Sequence, residues 1–473
     1  MDKSALFAAI DDNHDQLEQT ATLLWETPEL GLHEQTAAAT LSALLSEAGF
    51  DIERDLGGMP TAFVATYGDG DPHIGILGEY DALPGLSQTV SAEREPIEEG
   101  APGHGCGHNL FGTAGVGAAL GLKTAIDAGA VNGTISFFGC PAEETLVGKT
   151  YMARDGAFDE LDAALTWHPG TLSMPSTATS NALNSLQFTY EGVSAHAGGS
   201  PASGRSALDA VSLLNTGVEY MREHVSDDTR IHYSITNGGD APNVVPAEAT
   251  VWYYVRGPTR DEVEQNTAWL RDIADAAAQM TQTSVRERFL TGCYDYQANG
   301  VISEIIEANL ESVGPIPYTA EDRAFAAELQ ATVPAEEIES SLSFVPESLY
   351  DEIRASALYA DPLPAIDGDH HKHGSTEVGD VSWIVPTGQF RLATWPVGVP
   401  GHSWQVVASN GSFGLKGATH AAKVLAGSAF DLFTDRSTLE AAQAEFDGEI
   451  GPDAYETPLP PDAEPPFDVT ARN

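Results

Sequence analysis

The sequence predicts an α/β fold, a mixed sheet with helices on both faces, into which a smaller ferredoxin-like βαββαβ unit is set. Three observations carry this prediction. Apolar strands alternate with helical stretches from residue 61 to 168, and the pattern returns toward the C-terminus. Between 184 and 290 the order changes to strand, helix, strand, strand, helix, strand. Carboxylate and imidazole side chains recur immediately after strands, at the edge where open α/β sheets bind ligands.

In chain order, residues 4–24 and 34–48 read as amphipathic helices. Leu23, Leu24 and Trp25, then Leu41, Leu44 and Leu45, supply the apolar stripes, and Gly49 ends the second. Residues 61–67 alternate as a strand. A short apolar strand at 73–77 runs into Gly78-Glu79-Tyr80-Asp81-Ala82-Leu83-Pro84, and a polar, acidic loop occupies 87–99. Next come the turn Gly103-His104-Gly105-Cys106-Gly107-His108-Asn109 and a helix over about 112–128. A buried strand at 134–139 ends in Cys140-Pro141-Ala142-Glu143-Glu144, a helix follows near 146–156, and a strand at 161–167 ends at His168.

The inserted unit places strands at 184–191, 229–236, 248–255 and 284–290, and helices at 203–223 and 259–281. Its loop Val193-Ser194-Ala195-His196-Ala197-Gly198-Gly199 is rich in small residues. Beyond it, 320–366 is acidic, alanine-rich and without clear strands, and is read as helical elaboration or a lid. Asp369-His370-His371-Lys372-His373 reads as a polar surface loop, with metal binding as its alternative. A strand at 389–395 leads to Pro400-Gly401-His402-Ser403-Trp404, and the last helix spans about 414–433. The expected division is a catalytic domain over 1–183 and 293–436, an inserted domain over 184–292, and an acidic, proline-rich mobile tail over 437–473.

Composition narrows the possible partners. The 473 residues carry 70 acidic against 22 basic side chains, a formal charge of −48, spread along the chain instead of collected in a block. That pattern suits solubility in very high salt, where self-repulsion is screened, and argues against nucleic acid and anionic membranes. There is no long uncharged apolar run and no signal-peptide pattern. With three cysteines, Cys106, Cys140 and Cys293, the expectation is a reducing cytoplasm and thiol or metal roles.

The Cys/His turn is either a metal-binding loop or a helix-entry loop around a buried thiol. A glutamate pair after a strand is ordinarily a solvated loop, and a lone histidine there is ordinarily just hydrogen-bonded. Their joint arrival at strand ends favours a metal centre. Cys106, His108, Glu144, His168 and His402 would supply five ligands, enough for two divalent ions sharing one bridge and a water. Glu143, beside Glu144, is left to act as general base. Thiolate and imidazole favour zinc, while carboxylates also admit manganese.

The Cys/His turn, Pro141-Ala142-Glu143-Glu144, Trp167-His168, the loop around His196 and the inserted βαββαβ unit resemble the M20 metallopeptidase family in its amidohydrolase branch. The resemblance covers nearly the whole chain. It implies metal ligation by Cys106, His108, Glu144, His168 and His402, general-base catalysis by Glu143, and orientation of a ligand by Asp81. It further implies that Asn243 and Arg256 hold a substrate carboxylate, although fold support is the alternative for both. It implies a homodimer, or pairing with a related chain, in which His196 completes the neighbour's site as an oxyanion donor. Much of the branch has Asp where Asn109 stands, so a carboxylate ligand is missing there. The implied reaction is hydrolysis of an N-acyl or N-aroyl amino acid. A dipeptidase or deacetylase would share the same ligands, and a non-catalytic metal-dependent binding protein would have no need of Glu143.

The charge balance generates the first prediction. Prolonged dialysis to low salt should lower the melting temperature and the activity, because unscreened acidic residues repel. An unchanged melting temperature and full activity would show that the acidic surface is not a salt adaptation.

Overall fold

The structure is a computed structural model of the chain and describes residues 2–368, 371–451 and 454–470. Its strands are β1 (Asp51–Arg54), β2 (Phe63–Asp69), β3 (His73–Glu79), β4 (Gly133–Cys140), β5 (Ala163–Gly170), β6 (Met174–Pro175), β7 (Thr179–Ser180), β8 (Ala182–Glu191), β9 (Arg230–Asn237), β10 (Glu248–Gly257), β11 (Ser284–Cys293), β12 (His371–Lys372) and β13 (Thr387–Ala393). The main sheet has the order β1-β2-β4-β3-β5-β13-β6. It is mixed: β4, β3, β5 and β13 are parallel, while β1, β2 and β6 pair antiparallel at its two sides.

Period-two alternation sorts the apolar residues of the central strands onto two faces. Ile74 and Ile76, Ile135 and Phe137, and Leu165 and Trp167 join one core with the N-terminal helices and the helices His108–Asp127 and Lys416–Thr434. Leu77, Phe138, Cys140 and Ala164 join a second core on the opposite face, with Tyr151, Met152, Val378 and Val381. Helices therefore cover both faces, which is why these strands read as continuous apolar runs.

The second sheet has the order β11-β8-β10-β9, with every pair antiparallel. Helices Ala207–Met221 and Arg260–Thr281 pack their apolar stripes on one of its faces, Val211, Leu214 and Leu270 against Phe188, Val251 and Tyr253. This is the ferredoxin-like arrangement, spanning Ala182–Cys293.

The structure corrects two sequence-based expectations. The single helix expected over 4–24 is two, Lys3–Asp11 and His14–Glu26. The break falls at Asp12 and Asn13, where the Asn13 amide donates to the Ala9 carbonyl (2.8 Å) in competition with the helix ladder. Of the two readings of 320–366, the structure has the helical elaboration. Its helices Ala320–Gln330, Ala335–Ser341 and Glu347–Ala355 contribute Leu329 to the main core and Ile338 and Ile353 to a further core with Trp395, Val397 and Val399.

The C-terminal segment is not a mobile tail. Arg436–Glu449 is a helix, and Tyr455, Leu459 and Ala463 beyond it pack on the second face of the sheet. Leu459 is buried there, Tyr455 Oη donates to Asp380 Oδ1 (2.8 Å), and Tyr151 Oη donates to the Glu464 carbonyl (3.0 Å). Prolines here stiffen an extended strap whose few apolar side chains are spaced to fill a groove, so composition alone misreads it. Among the described residues no helix is long and apolar enough to cross a membrane.

Removing residues 452–473 should therefore destabilise the protein by about 3 kcal/mol or more, the scale of deleting one large buried side chain. Chemical denaturation checks this; a midpoint equal to that of the full chain would mean that the strap contributes nothing.

Candidate metal centre and active site

Because β3, β4, β5 and β13 are parallel, their carboxyl ends lie together. β3 delivers Glu79 and Asp81, β4 delivers Glu143 and Glu144, β5 delivers His168, and the segment after β13 delivers His402. The Cys/His turn joins them: the His402 amide donates to the Gly105 carbonyl (2.9 Å). At Gly107 φ is +82°, and a Cβ would stand 2.8 Å from Asn410 Nδ2 and 2.9 Å from Pro169 Cβ. The turn needs glycine there for both conformation and space.

Three donor clusters result, each with its atoms within 4.8 Å of one another: Cys106, His108 and His168; Cys106, Glu144 and His402; Glu79, His108 and Glu143. Cys106 is common to the first two and His108 to the first and third. Asp81 organises two of the donors. Its Oδ1 accepts from His108 Nδ1 (2.9 Å), and its Oδ2 accepts from the Glu144 amide (2.9 Å). His108 therefore turns Nε2 inward, 3.3 Å from Glu79 and 3.9 Å from Glu143. His168 is set the same way: Nδ1 donates to the Pro169 carbonyl (2.6 Å), leaving Nε2 3.4 Å from Cys106 Sγ. His402 Nε2 lies 3.4 Å from Glu144.

The electrostatics are those of crowded, buried acids. Burial, then the neighbouring Glu79 and Glu144 charges, hold the Glu143 carboxyl well above the usual carboxylate range. Burial pushes Glu144 up to about 8 and the Cys106 thiol up to about 12. Burial, then the charges of His108 and Arg391, hold His168 well below the ordinary imidazole range. For His108 burial acts downward, but Cys106 and Asp81 outweigh it and raise the imidazole. Lys149 offsets part of the excess, with Nζ 2.7 Å from both Glu79 and Glu377. The donor set fits divalent cations: it combines thiol, imidazole and carboxylate, and both His108 Nε2 and Glu144 Oε1 are buried without a hydrogen-bond partner.

The five expected ligands, Glu143 and Asp81 thus come together, and Arg256 lines the same cavity of about 260 Å³. His196 and Asn243 do not line it. They sit on the inserted unit, both exposed, where the Ala197 amide donates to the Asn243 carbonyl (3.0 Å). His371 is held by Thr179 and Asn181, and His370 lies outside the described residues, which show no donor cluster around this stretch. Asn109 faces away from the centre, and its amide donates to the carbonyls of Ala21 and Asn410 (3.2 and 3.3 Å). Those acceptors call for an amide where a carboxylate could not donate. Sequence reasoning missed Lys149 and Glu377 and left Glu79 without a role. Glu79 carried the signal of a strand-end carboxylate; Lys149 carried none.

Comparison with known proteins places this geometry in a family. Residues 180–281 match the model of the M20 peptidase dimerisation domain. Over 467 residues, 97% of each chain, the protein is 38% identical to one of the subunits of p-aminobenzoyl-glutamate hydrolase from Escherichia coli (strain K12). The chain belongs to the M20 family. It is a hydrolase acting on amides, as its relatives are named. The Xaa-Arg dipeptidase of Mus musculus is 32% identical over 292 residues, 58% of this chain and 63% of that one. A dinuclear metal-binding M20 peptidase from Bacillus subtilis shares the fold at a TM-score of 0.54 and 16% identity, over 89% of this chain and 99% of its own.

Metal analysis tests the shared position of Cys106. Cys106→Ala should lose metal from both subsites, whereas His402→Ala should retain about one ion. Full metal content in Cys106→Ala, measured by elemental mass spectrometry after desalting, would remove the thiol from the centre.

Proposed function

We propose that the protein hydrolyses the amide bond of N-acyl or N-aroyl amino acids, p-aminobenzoyl-glutamate among them. The division of labour between two adjacent glutamates carries this reading. Glu144 is held by Asp81 through its amide and faces His402, while Glu143 is buried at the cavity wall, 3.9 Å from His108 Nε2. Cys106, His108, Glu144, His168 and His402 would hold two divalent ions, zinc or manganese. When bound, the ions supply a water of lowered pKa and positive charge for the carbonyl oxygen. Glu143 takes the proton of the attacking water and returns it to the leaving amine. Arg256 offers a guanidinium fork to the substrate carboxylate, and Asn243 is its proposed companion from a partner chain.

His196 is built as a donor. Its Nδ1 accepts from the amides of Gly198 and Gly199 (3.1 Å each), so the ring proton resides on Nε2. Around it Val193 and Val244 are exposed, and the edge strand β9 exposes Tyr233 and Ile235. These features support a homodimer in which His196 reaches the partner's site and stabilises the oxyanion. The Escherichia coli hydrolase is named with two kinds of subunit, both similar to this chain, which makes a related chain the alternative partner. Kinship to an Xaa-Arg dipeptidase makes a dipeptide the second substrate reading, and a panel of aroyl-amino acids and dipeptides with amine detection separates the two.

Glu143→Gln should keep its metal and lose about 10²–10⁴-fold in kcat, the usual worth of a general base. Near-full activity would end the assignment. His196→Ala should lose about 10²–10³-fold, as an oxyanion donor does. Mixing it with Glu143→Ala under conditions that let protomers exchange should restore partial activity, since one hybrid site then has both groups. No recovery despite demonstrated exchange would exclude contribution across the interface.

A further inference from the structure

β13 alternates. Phe390 and Leu392 are buried in the main core, so Gln389 and Arg391 point the other way, and both line the active-site cavity. Arg391 stands in register with His168 on the neighbouring β5. Its Nε is buried without a hydrogen-bond partner, and the same holds for Arg256 Nε and for Ser375 Oγ in the same cavity. Among the described residues, the carboxylates lining this cavity are Glu143 and Glu144, both members of the donor clusters. The acid whose charge acts most on Arg391 is Asp367, and its Oδ1 already accepts from the Thr177 amide (3.0 Å) and Oγ1 (2.9 Å).

Removing a guanidinium from water is costly unless an anion meets it. In a chain with 70 acidic and 22 basic residues, partners are abundant, yet this cavity keeps two arginines turned toward its open space. They come from different elements: Arg391 stands opposite His168 in the main sheet, while Arg256 stands on β10 of the inserted unit. One carboxylate needs only one fork.

We propose that Arg391, with Gln389 and Ser375 beside it, is a second carboxylate anchor that selects amide substrates whose amino-acid half is itself acidic. This rests on the amidohydrolase reading above, in which Arg256 holds the α-carboxylate. Arg391 is thereby a specificity-determining residue, taking no part in the proton transfers.

The test compares p-aminobenzoyl-L-glutamate with p-aminobenzoyl-L-glutamine, which has the same shape without the second charge. The metal-loaded protein should favour the glutamate compound by about tenfold or more in kcat/KM, the scale of one charge-assisted hydrogen-bonded pair. Arg391→Met should abolish the preference and Arg391→Lys should keep part of it. Equal rates for the two compounds, or a preference that survives Arg391→Met, would overturn the anchor. Should Arg391→Met fail to fold by circular dichroism, Gln389→Leu replaces it and should reduce the preference; an unchanged preference would again count against the site. Equilibrium binding of both compounds to metal-loaded Glu143→Gln supplies a readout independent of turnover. If neither compound is cleaved by the native protein, the reaction reading fails, while a glutamate preference in binding, lost with Arg391→Met, would still sustain the anchor and its absence would sink it.

Discussion

Three buried carboxylates, Glu79, Asp81 and Glu143, crowd around the imidazole of His108, and a fourth, Glu144, stands beside them against His402. Such a group is unstable without positive charge near it, because like charges at close range in a dry site cannot all ionise. The chain meets part of the demand with Lys149, buried between Glu79 and Glu377. Divalent ions would meet the rest. Asp81 serves the same cluster by spending both oxygens on orienting other groups, accepting from His108 Nδ1 and from the Glu144 amide.

The ligands come from remote parts of the chain, so the scaffold must hold them against one another. Parallel strands bring three of the four strand ends to one edge with little further help. His402 is the exception, since it lies on an irregular segment and has a left-handed backbone, φ 58°. The helices of 320–366 are its support. Ile338 closes on Gly398, Gln330 Nε2 donates to the Val397 carbonyl (2.8 Å), and Gln405 Nε2 donates to Thr332 Oγ1 (3.0 Å). The acidic, alanine-rich elaboration thus has a mechanical reason to exist, which is to fix the loop that delivers the last ligand.

The inserted unit contributes to the cavity unevenly. Arg256, at the end of β10, reaches the site of its own chain, while His196 and Asn243 are displayed outward on a loop pair beside exposed apolar residues. In the single chain His196 faces solvent with Nδ1 held by two backbone donors, as its proposed contribution to a partner's site requires.

What the sequence by itself determined is whatever local pattern controls. Apolar alternation and length placed the strands, the order βαββαβ disclosed the inserted unit, and strand-end position marked Glu143, Glu144, His168 and His402, because side-chain direction within an element follows from its period. The Gly-rich turn marked Cys106 and His108 for the same local reason. Tertiary structure alone decided the rest. That Cys106 belongs to two donor clusters, that Lys149 offsets Glu79, and that Asn109 serves two distant carbonyls all depend on distances between segments far apart in the chain. The C-terminal strap shows the limit most clearly: its prolines and acids resemble a disordered tail, and only the groove that receives Tyr455 and Leu459 makes it part of the fold. Arg391 lies between the two cases. Its alternation with Phe390 and Leu392 is legible along the strand, but that it faces a cavity where its Nε has no hydrogen-bond partner among the described residues could be seen only once the sheet, the inserted unit and the ligand-bearing edge were assembled around it.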